Sequence, residues 1–277
     1  MTIKIRQVDA PPASPKPHRF KNQIVSVSLV NTYLHQQPLT TVIRRFLFEM
    51  TKDGQIYWIG VSIADGIKGF DNVQIYFHPP PTNQGKVWAR DEDYSAFTGG
   101  WIGKYDWVGI NGGQLAGVRP ATPLIVPFMR DAAYRGSSPE YMFATKPMET
   151  LSAIIAAVRT VVTGKTADGH VGRIGVSSFS RGIEGMRLFI RTFGSSRLVV
   201  EATDFDSPFI IGSLKTLTTP PKGVGRVVSQ IPPPHGRTPG WLYLPEVQFK
   251  FVNFAPDTHQ KIGRMTFFAA MAQSTII

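Results

Sequence analysis

Arg173-Ile174-Gly175-Val176-Ser177-Ser178-Phe179-Ser180-Arg181-Gly182 is the stretch on which the reading of this chain turns. Its first four residues predict a strand, and residues 182–193 predict a helix closed by Gly194. A serine at such a strand-to-helix turn is held in a strained conformation. Small residues two before and two after it let strand and helix approach closely, which is the physics of the G-x-S-x-G pattern. Here Ser178 stands where the first glycine would be, and Gly182 fills the second place. Ser180 is therefore the candidate nucleophile. Ser177 and Ser178 compete for that role, but neither has glycine two residues on. The bland alternative is a serine-rich turn that caps the helix through its hydroxyls.

Outward from this stretch the chain alternates strand and helix. Val73–Phe77 is a short apolar strand that runs into His78-Pro79-Pro80-Pro81, where proline ends the ladder for want of an amide proton. Leu124–Phe128 predicts a strand, and Met148–Val162 carries Leu151, Ile154, Ile155 and Val158 at helical spacing before Gly164. Leu198–Ala202 predicts a strand leading into Thr203-Asp204-Phe205-Asp206-Ser207. Val247–Val252 predicts a last strand and Met265–Gln273 a last helix. Such alternation predicts an α/β protein with a mostly parallel sheet covered on both faces, whose ligands sit beyond the carboxyl ends of the strands.

The front of the chain differs. Residues 1–20 carry Pro11, Pro12, Pro15 and Pro17 and read as a flexible or surface-bound arm, leaving residues 21–277 as one domain. Ile24–Val30, Val42–Met50 and Ile56–Ile63, the last two separated by Asp53-Gly54, predict antiparallel strands at the N-terminal edge. The Gly- and Trp-rich segment Thr82–Arg119 reads as loop with a short helix or two, and residues between Trp88 and Trp107 are candidates for a lid or acyl pocket.

Composition narrows the chemistry. The chain has 277 residues, 42% hydrophobic and 18% charged, enough for one well-buried core. No cysteine is present, which excludes disulfides, thiolate metal sites and a cysteine nucleophile. The start, Met1-Thr2-Ile3-Lys4-Ile5-Arg6, has no apolar run behind its charges, and no apolar stretch approaches ~20 residues, so the expectation is a protein without a transmembrane segment, cytoplasmic or exported without a cleavable signal peptide. A formal net charge of +11 favours an anionic surface electrostatically. The basic groups Lys16–Lys21 and Arg44-Arg45 lack the aromatic interleaving or motif of a nucleic-acid module.

The order strand, S-x-S-x-G, helix, strand with aspartate, strand with histidine and closing helix resembles the α/β-hydrolase superfamily over roughly residues 56–277. Within it, Phe179-Ser180-Arg181-Gly182 is similar to the Phe-Ser-Arg-Gly elbow of certain bacterial lipases and phospholipases, including secreted antibacterial effectors. The resemblance implies a serine esterase or lipase with a Ser-His-Asp triad. Serine needs a base, and in this superfamily the base follows the last strand. His259 fits that place, with His235 as its rival; His18, His35, His78 and His170 precede the elbow. The orienting carboxylate should end a strand between the two. The Phe-Asp-Ser stretch resembles the acid-bearing Phe-Asp-Thr of the same lipases and favours Asp206 over Asp204, with Glu246 as an outside choice and Asp257 too close to His259.

The amide of Arg181 is the first expected oxyanion donor. A second is drawn from the amides of His78 and Thr82, with Phe77 a weaker candidate, because Pro79, Pro80 and Pro81 have no amide proton to give. The Arg181 guanidinium is a further candidate, for pairing with phosphate or carboxylate, against an ordinary ion pair at the helix start. No cofactor is implied: Asp91-Glu92-Asp93 has no companion histidine for a metal, and Gly99-Gly100 and Asn111-Gly112-Gly113 match no phosphate loop. The expectation is hydrolysis of carboxylic esters, with lipid esters the favoured substrates; the alternative is a non-catalytic binding or structural module of the same shape.

Overall fold

A computed structural model describes residues 3–8, 24–27, 32–35, 41–79, 107–128, 142–207, 223–228, 240–243, 250–251, 267, 270–272 and 274. The strands are β1 (Lys4–Val8), β2 (Ile24–Val27), β3 (Thr32–His35), β4 (Ile43–Lys52), β5 (Gln55–Ala64), β6 (Val73–Phe77), β7 (Leu124–Pro127), β8 (Ile174–Phe179), β9 (Val199–Phe205), β10 (Val224–Val228), β11 (Trp241–Tyr243) and β12 (Lys250–Phe251). The helices are α1 (Trp107–Val118), α2 (Pro147–Thr163) and α3 (Ile183–Phe193).

The main sheet has nine strands in the order β1-β4-β5-β7-β6-β8-β9-β10-β11. Neighbours from β7 to β11 run parallel, whereas β1, β4 and β5 form an antiparallel edge. The expected mostly parallel sheet, with helices on both faces and antiparallel strands at the N-terminal edge, is what the structure has. Parallel strands need long crossovers, and α1, α2 and α3 lie in them between β6, β7, β8 and β9.

Period-two alternation divides each strand between two cores. On one face Ile75, Phe77, Ile174, Val176 and Ala202 pack with Leu151, Ile155 and Val158 of α2 and Ile183, Met186 and Phe189 of α3. On the other, Tyr76, Leu124, Val126, Phe179 and Phe205 pack with Trp107 and Leu115 of α1 and with the helical residues Phe267 and Met271. Gly112 allows the close approach of α1, since a Cβ there would collide with the Ser62 side chain on β5.

Several sequence expectations shift. Lys4–Val8, inside the stretch read as an arm, pairs antiparallel with β4, and Ile3 and Ile5 pack on the core. The prolines that suggested an arm all come later, from Pro11 onward. Ile24–Val27 does not join β4 and β5; it lies in a separate sheet, β12-β2-β3. That sheet also takes Lys250–Phe251, so among the described residues the last strand of the main sheet is Trp241–Tyr243. β4 and β5 form the expected hairpin, with Lys52 opposite Gln55 and both Asp53 and Gly54 at positive φ, as a two-residue Asp-Gly turn requires. Among the described residues no helix is long and apolar enough to cross a membrane.

Candidate active site

Because β7 to β11 are parallel, their carboxyl ends share one rim of the sheet. Three adjacent strands bring the sequence candidates to it. Phe77 is opposite Ser178 and Phe179 is opposite Phe205, so His78, Ser180 and Asp206 each lie just past the last paired residue of its strand.

Ser180 is buried and has φ 55°, in the left-handed region that side chains avoid. It opens a short 3-10 turn, Ser180–Gly182, which runs straight into α3. Helix starts leave amides without intrahelical acceptors and carry a partial positive charge, and the Arg181 amide belongs to this start. The Arg181 side chain is exposed. Gly182 has a different necessity: a Cβ there would collide with the carbonyl oxygen of Phe77 at the end of β6. Gly185, one turn on, would meet the Phe77 ring. The second glycine of the motif is thus required by backbone approach.

The rival serines are committed elsewhere. Ser177 is fully buried and its Oγ accepts a 2.9 Å bond from Gln74 Nε2. Ser178, on the opposite face, donates to Asp204 Oδ1 at 3.0 Å.

β9 runs to Phe205, three residues beyond the expected end at Ala202, which places Asp204 inside the strand and Asp206 immediately after it. Both carboxyl groups are fully buried. Asp206 has φ 58° and its amide donates to Val228 O at 2.6 Å. Asp204 also accepts from the Ser207 hydroxyl and backbone amide. Burial pushes the Asp204 carboxyl up to about 7, against the lowering effect of the Ser207 and Ser178 hydrogen bonds, and the neighbouring Asp206 charge adds to the rise.

His78 is buried between Trp107, stacked at 6.4 Å, and Phe128, edge-on at 6.1 Å. Its Nδ1 is 2.7 Å from Pro79 O. A carbonyl only accepts, so Nδ1 carries the proton and Nε2 is left as an acceptor. Burial lowers the imidazole to about 4, only partly offset by the Pro79 bond, so the ring is neutral at physiological pH.

His259, His235, Thr82, Glu246, Asp257, the Asp91-Glu92-Asp93 cluster and residues 88–106 of the candidate lid lie outside the described residues. Of the other histidines, His170 is exposed in the loop before β8. Among the described residues no group of three or more His, Asp or Glu side chains is placed to hold a metal ion.

The sequence reading missed the pairing of Ser178 with Asp204. The signal was available in part, since both residues lie two positions before the left-handed residue that ends their strand. Their contact depends on strand register, which no local pattern reveals.

No protein-family model matches the sequence, and no curated protein matches it. Among solved structures, the chain is similar to an esterase of Pyrobaculum calidifontis at 15% identity and TM-score 0.34, over 60% of this chain and 45% of that one. Fungal esterases from Rhizomucor miehei match at 13% identity and TM-score 0.33, over 61% and 46%. Brefeldin A esterase, a bacterial homologue of human hormone sensitive lipase, matches at 11% identity and TM-score 0.34, over 60% and 41%. The match therefore spans less than half the length of each of these chains.

Proposed function

We propose that the chain is a serine hydrolase of carboxylic esters, acting through Ser180, His259 and Asp206. The observation that carries this reading is the conformation of Ser180: a buried serine at φ 55°, at the carboxyl end of a central parallel strand, opening a helix whose Gly182 is sterically required. A left-handed non-glycine residue persists only where its surroundings over-determine it, and such strain clusters at functional sites.

In this reading His259 takes the Ser180 proton as Oγ attacks the ester carbonyl carbon. The Arg181 amide receives the developing oxyanion, with a second donor from the His78 or Thr82 amide. Collapse breaks the bond to the alcohol, which leaves with the proton held by His259. Water, deprotonated by His259, then attacks the acyl carbonyl carbon, the bond to Ser180 Oγ breaks, Oγ takes the proton back from His259, and the carboxylic acid leaves. Asp206 orients His259. Lipid esters are the favoured substrates and an anionic membrane surface the favoured partner, on the strength of the elbow resemblance and the +11 charge.

The test is labelling with a fluorophosphonate and peptide mapping, beside hydrolysis of short and long acyl esters. Modification at Ser180, lost in Ser180→Ala, is expected. A folded protein that neither labels nor hydrolyses any ester is a binding or structural module instead.

A further inference from the structure

We propose that Asp204 is a positioning residue whose carboxyl ties the turn carrying Ser180 to the turn carrying Asp206. This rests on the ester-hydrolase reading above. β8 and β9 are adjacent and parallel, with Ser178 directly opposite Asp204 and Phe179 opposite Phe205. One residue later each strand breaks into the left-handed region, at Ser180 and at Asp206. Two neighbouring strands thus end in matching strained residues, and each needs support from outside its own backbone.

The Asp204 carboxyl gives that support to both. Oδ1 accepts from Ser178 Oγ at 3.0 Å, two residues before Ser180. Oδ2 accepts from Ser207 Oγ, and the Ser207 amide also reaches the carboxyl, one residue after Asp206. The far side of the second turn is held by the Asp206 amide on Val228 O at 2.6 Å. Ser178, Asp204 and Ser207 are all fully buried, so these bonds are shielded from competing water.

The arrangement also accounts for the departure from G-x-S-x-G. Glycine at position 178 would leave Asp204 Oδ1 without this donor in the interior, and a buried acceptor without a partner is costly. The hydroxyl of Ser178 is therefore part of the site's support. By alternation it points to the α3 face, with Val176 and away from Phe179, so Asp204 acts from beneath the sheet rim through Ser180 and Asp206.

The experiment combines Asp204→Asn, Ser178→Ala, Ser207→Ala and their double variants. Each is read by kcat and KM on a soluble short-chain ester, by fluorophosphonate labelling rate, and by hydrogen exchange of peptides spanning residues 180–182 and 206–207. Asp204→Asn is expected to lower kcat about 10- to 100-fold with KM little changed, the loss associated with misplacing reacting groups by ~1 Å. Exchange should quicken in both peptides together. Each serine variant should lower kcat alone but add little on the Asp204→Asn background, because both act through one carboxyl.

Near-normal kcat and unchanged exchange in folded Asp204→Asn overturn the clasp and leave the hydrolase reading intact. A loss matching the ~10⁴-fold cost of removing a triad acid, with Asp206→Asn active, also overturns it, by making Asp204 the acid. If the wild type neither labels nor turns over, the hydrolase reading falls, and the joint exchange response alone decides whether the clasp exists. Should the double variants fail to fold, quickened exchange of both peptides in Ser178→Ala supports the clasp, and unchanged exchange at residues 206–207 in that variant overturns it.

Discussion

Replacing Ser180 by glycine should make the protein more stable while removing its proposed activity. At φ 55° the Cβ of Ser180 crowds the following carbonyl oxygen, a conformation that costs a side chain ~1–2 kcal/mol and glycine almost nothing. Glycine also loosens the unfolded chain, which takes back about 0.4–1 kcal/mol. The net expectation for Ser180→Gly is a gain of roughly 0.5–1 kcal/mol, or a rise in Tm of about 1–3 °C at this chain length. Ser180→Ala keeps the Cβ and the strain, so it should be no more stable than the wild type. Urea unfolding of the three proteins gives the comparison, with midpoints compared at unchanged m-value. Fluorophosphonate labelling should vanish in both variants. If Ser180→Gly has the same midpoint as Ser180→Ala, the turn is not held in the left-handed region and the structural basis for the nucleophile assignment is lost.

Gly182→Ala should destabilise by about 1–3 kcal/mol, because its Cβ meets the fixed Phe77 carbonyl; a denaturation midpoint equal to wild type would show that β6 and α3 are not in close contact. Asp206→Asn should lower ester turnover far more than Asp204→Asn, and steady-state kinetics showing the reverse order would exchange their roles. Two opposite pH effects on stability are expected. Asp204 is raised to about 7, so its folded form holds a proton the unfolded chain has lost, and stability should fall as pH rises from about 4 to 7; His78 is lowered to about 4, so stability should fall as pH drops from about 6.5 to 4. Unfolding curves for Asp204→Asn and His78→Phe should each lack one of these slopes, and an unchanged profile in either variant would remove that assignment. On vesicles of matched acyl composition, hydrolysis should be faster on anionic than zwitterionic lipid and should fall with salt, while a soluble ester responds to neither; equal rates on both lipids would dissociate the +11 charge from substrate binding.

Where local patterning and tertiary environment agree, the sequence was readable. Val73–Phe77 matches β6 residue for residue, and the helical spacing of Met148–Val162 falls within α2. The elbow was legible because its glycine, its serine and the surrounding strand and helix all lie within a few residues. α1 was not: Trp107–Val118 is apolar and glycine-rich nearly all round, so it shows no amphipathic contrast, and its burial on β5 through Gly112 is a tertiary fact. The end of β9 was read three residues early because Thr203-Asp204 looks like a turn. Buried inside the sheet, Asp204 is tolerated through Ser207, three residues on, and through Ser178 on the neighbouring strand, a partner that only strand register brings to it. β11 was passed over because its three residues, Trp241–Tyr243, are too few to show a period.

The place of β7 has a bearing on biosynthesis. β5 does not pair with β6, the next strand of the main sheet in the chain; β7 is interposed and pairs with both. During synthesis from the amino terminus, the β4–β5 hairpin can close early, but it has no neighbour on its inner side until Leu124–Pro127 has emerged. Until then the hydrogen-bonding edge of β5, with the apolar Ile59, Val61 and Ile63 along it, is open to other chains. Ribosome pausing within residues 65–123 would prolong that exposure, whereas pausing after β7 has emerged would not. Vectorial order, rather than final stability, thus decides how long this edge stays open.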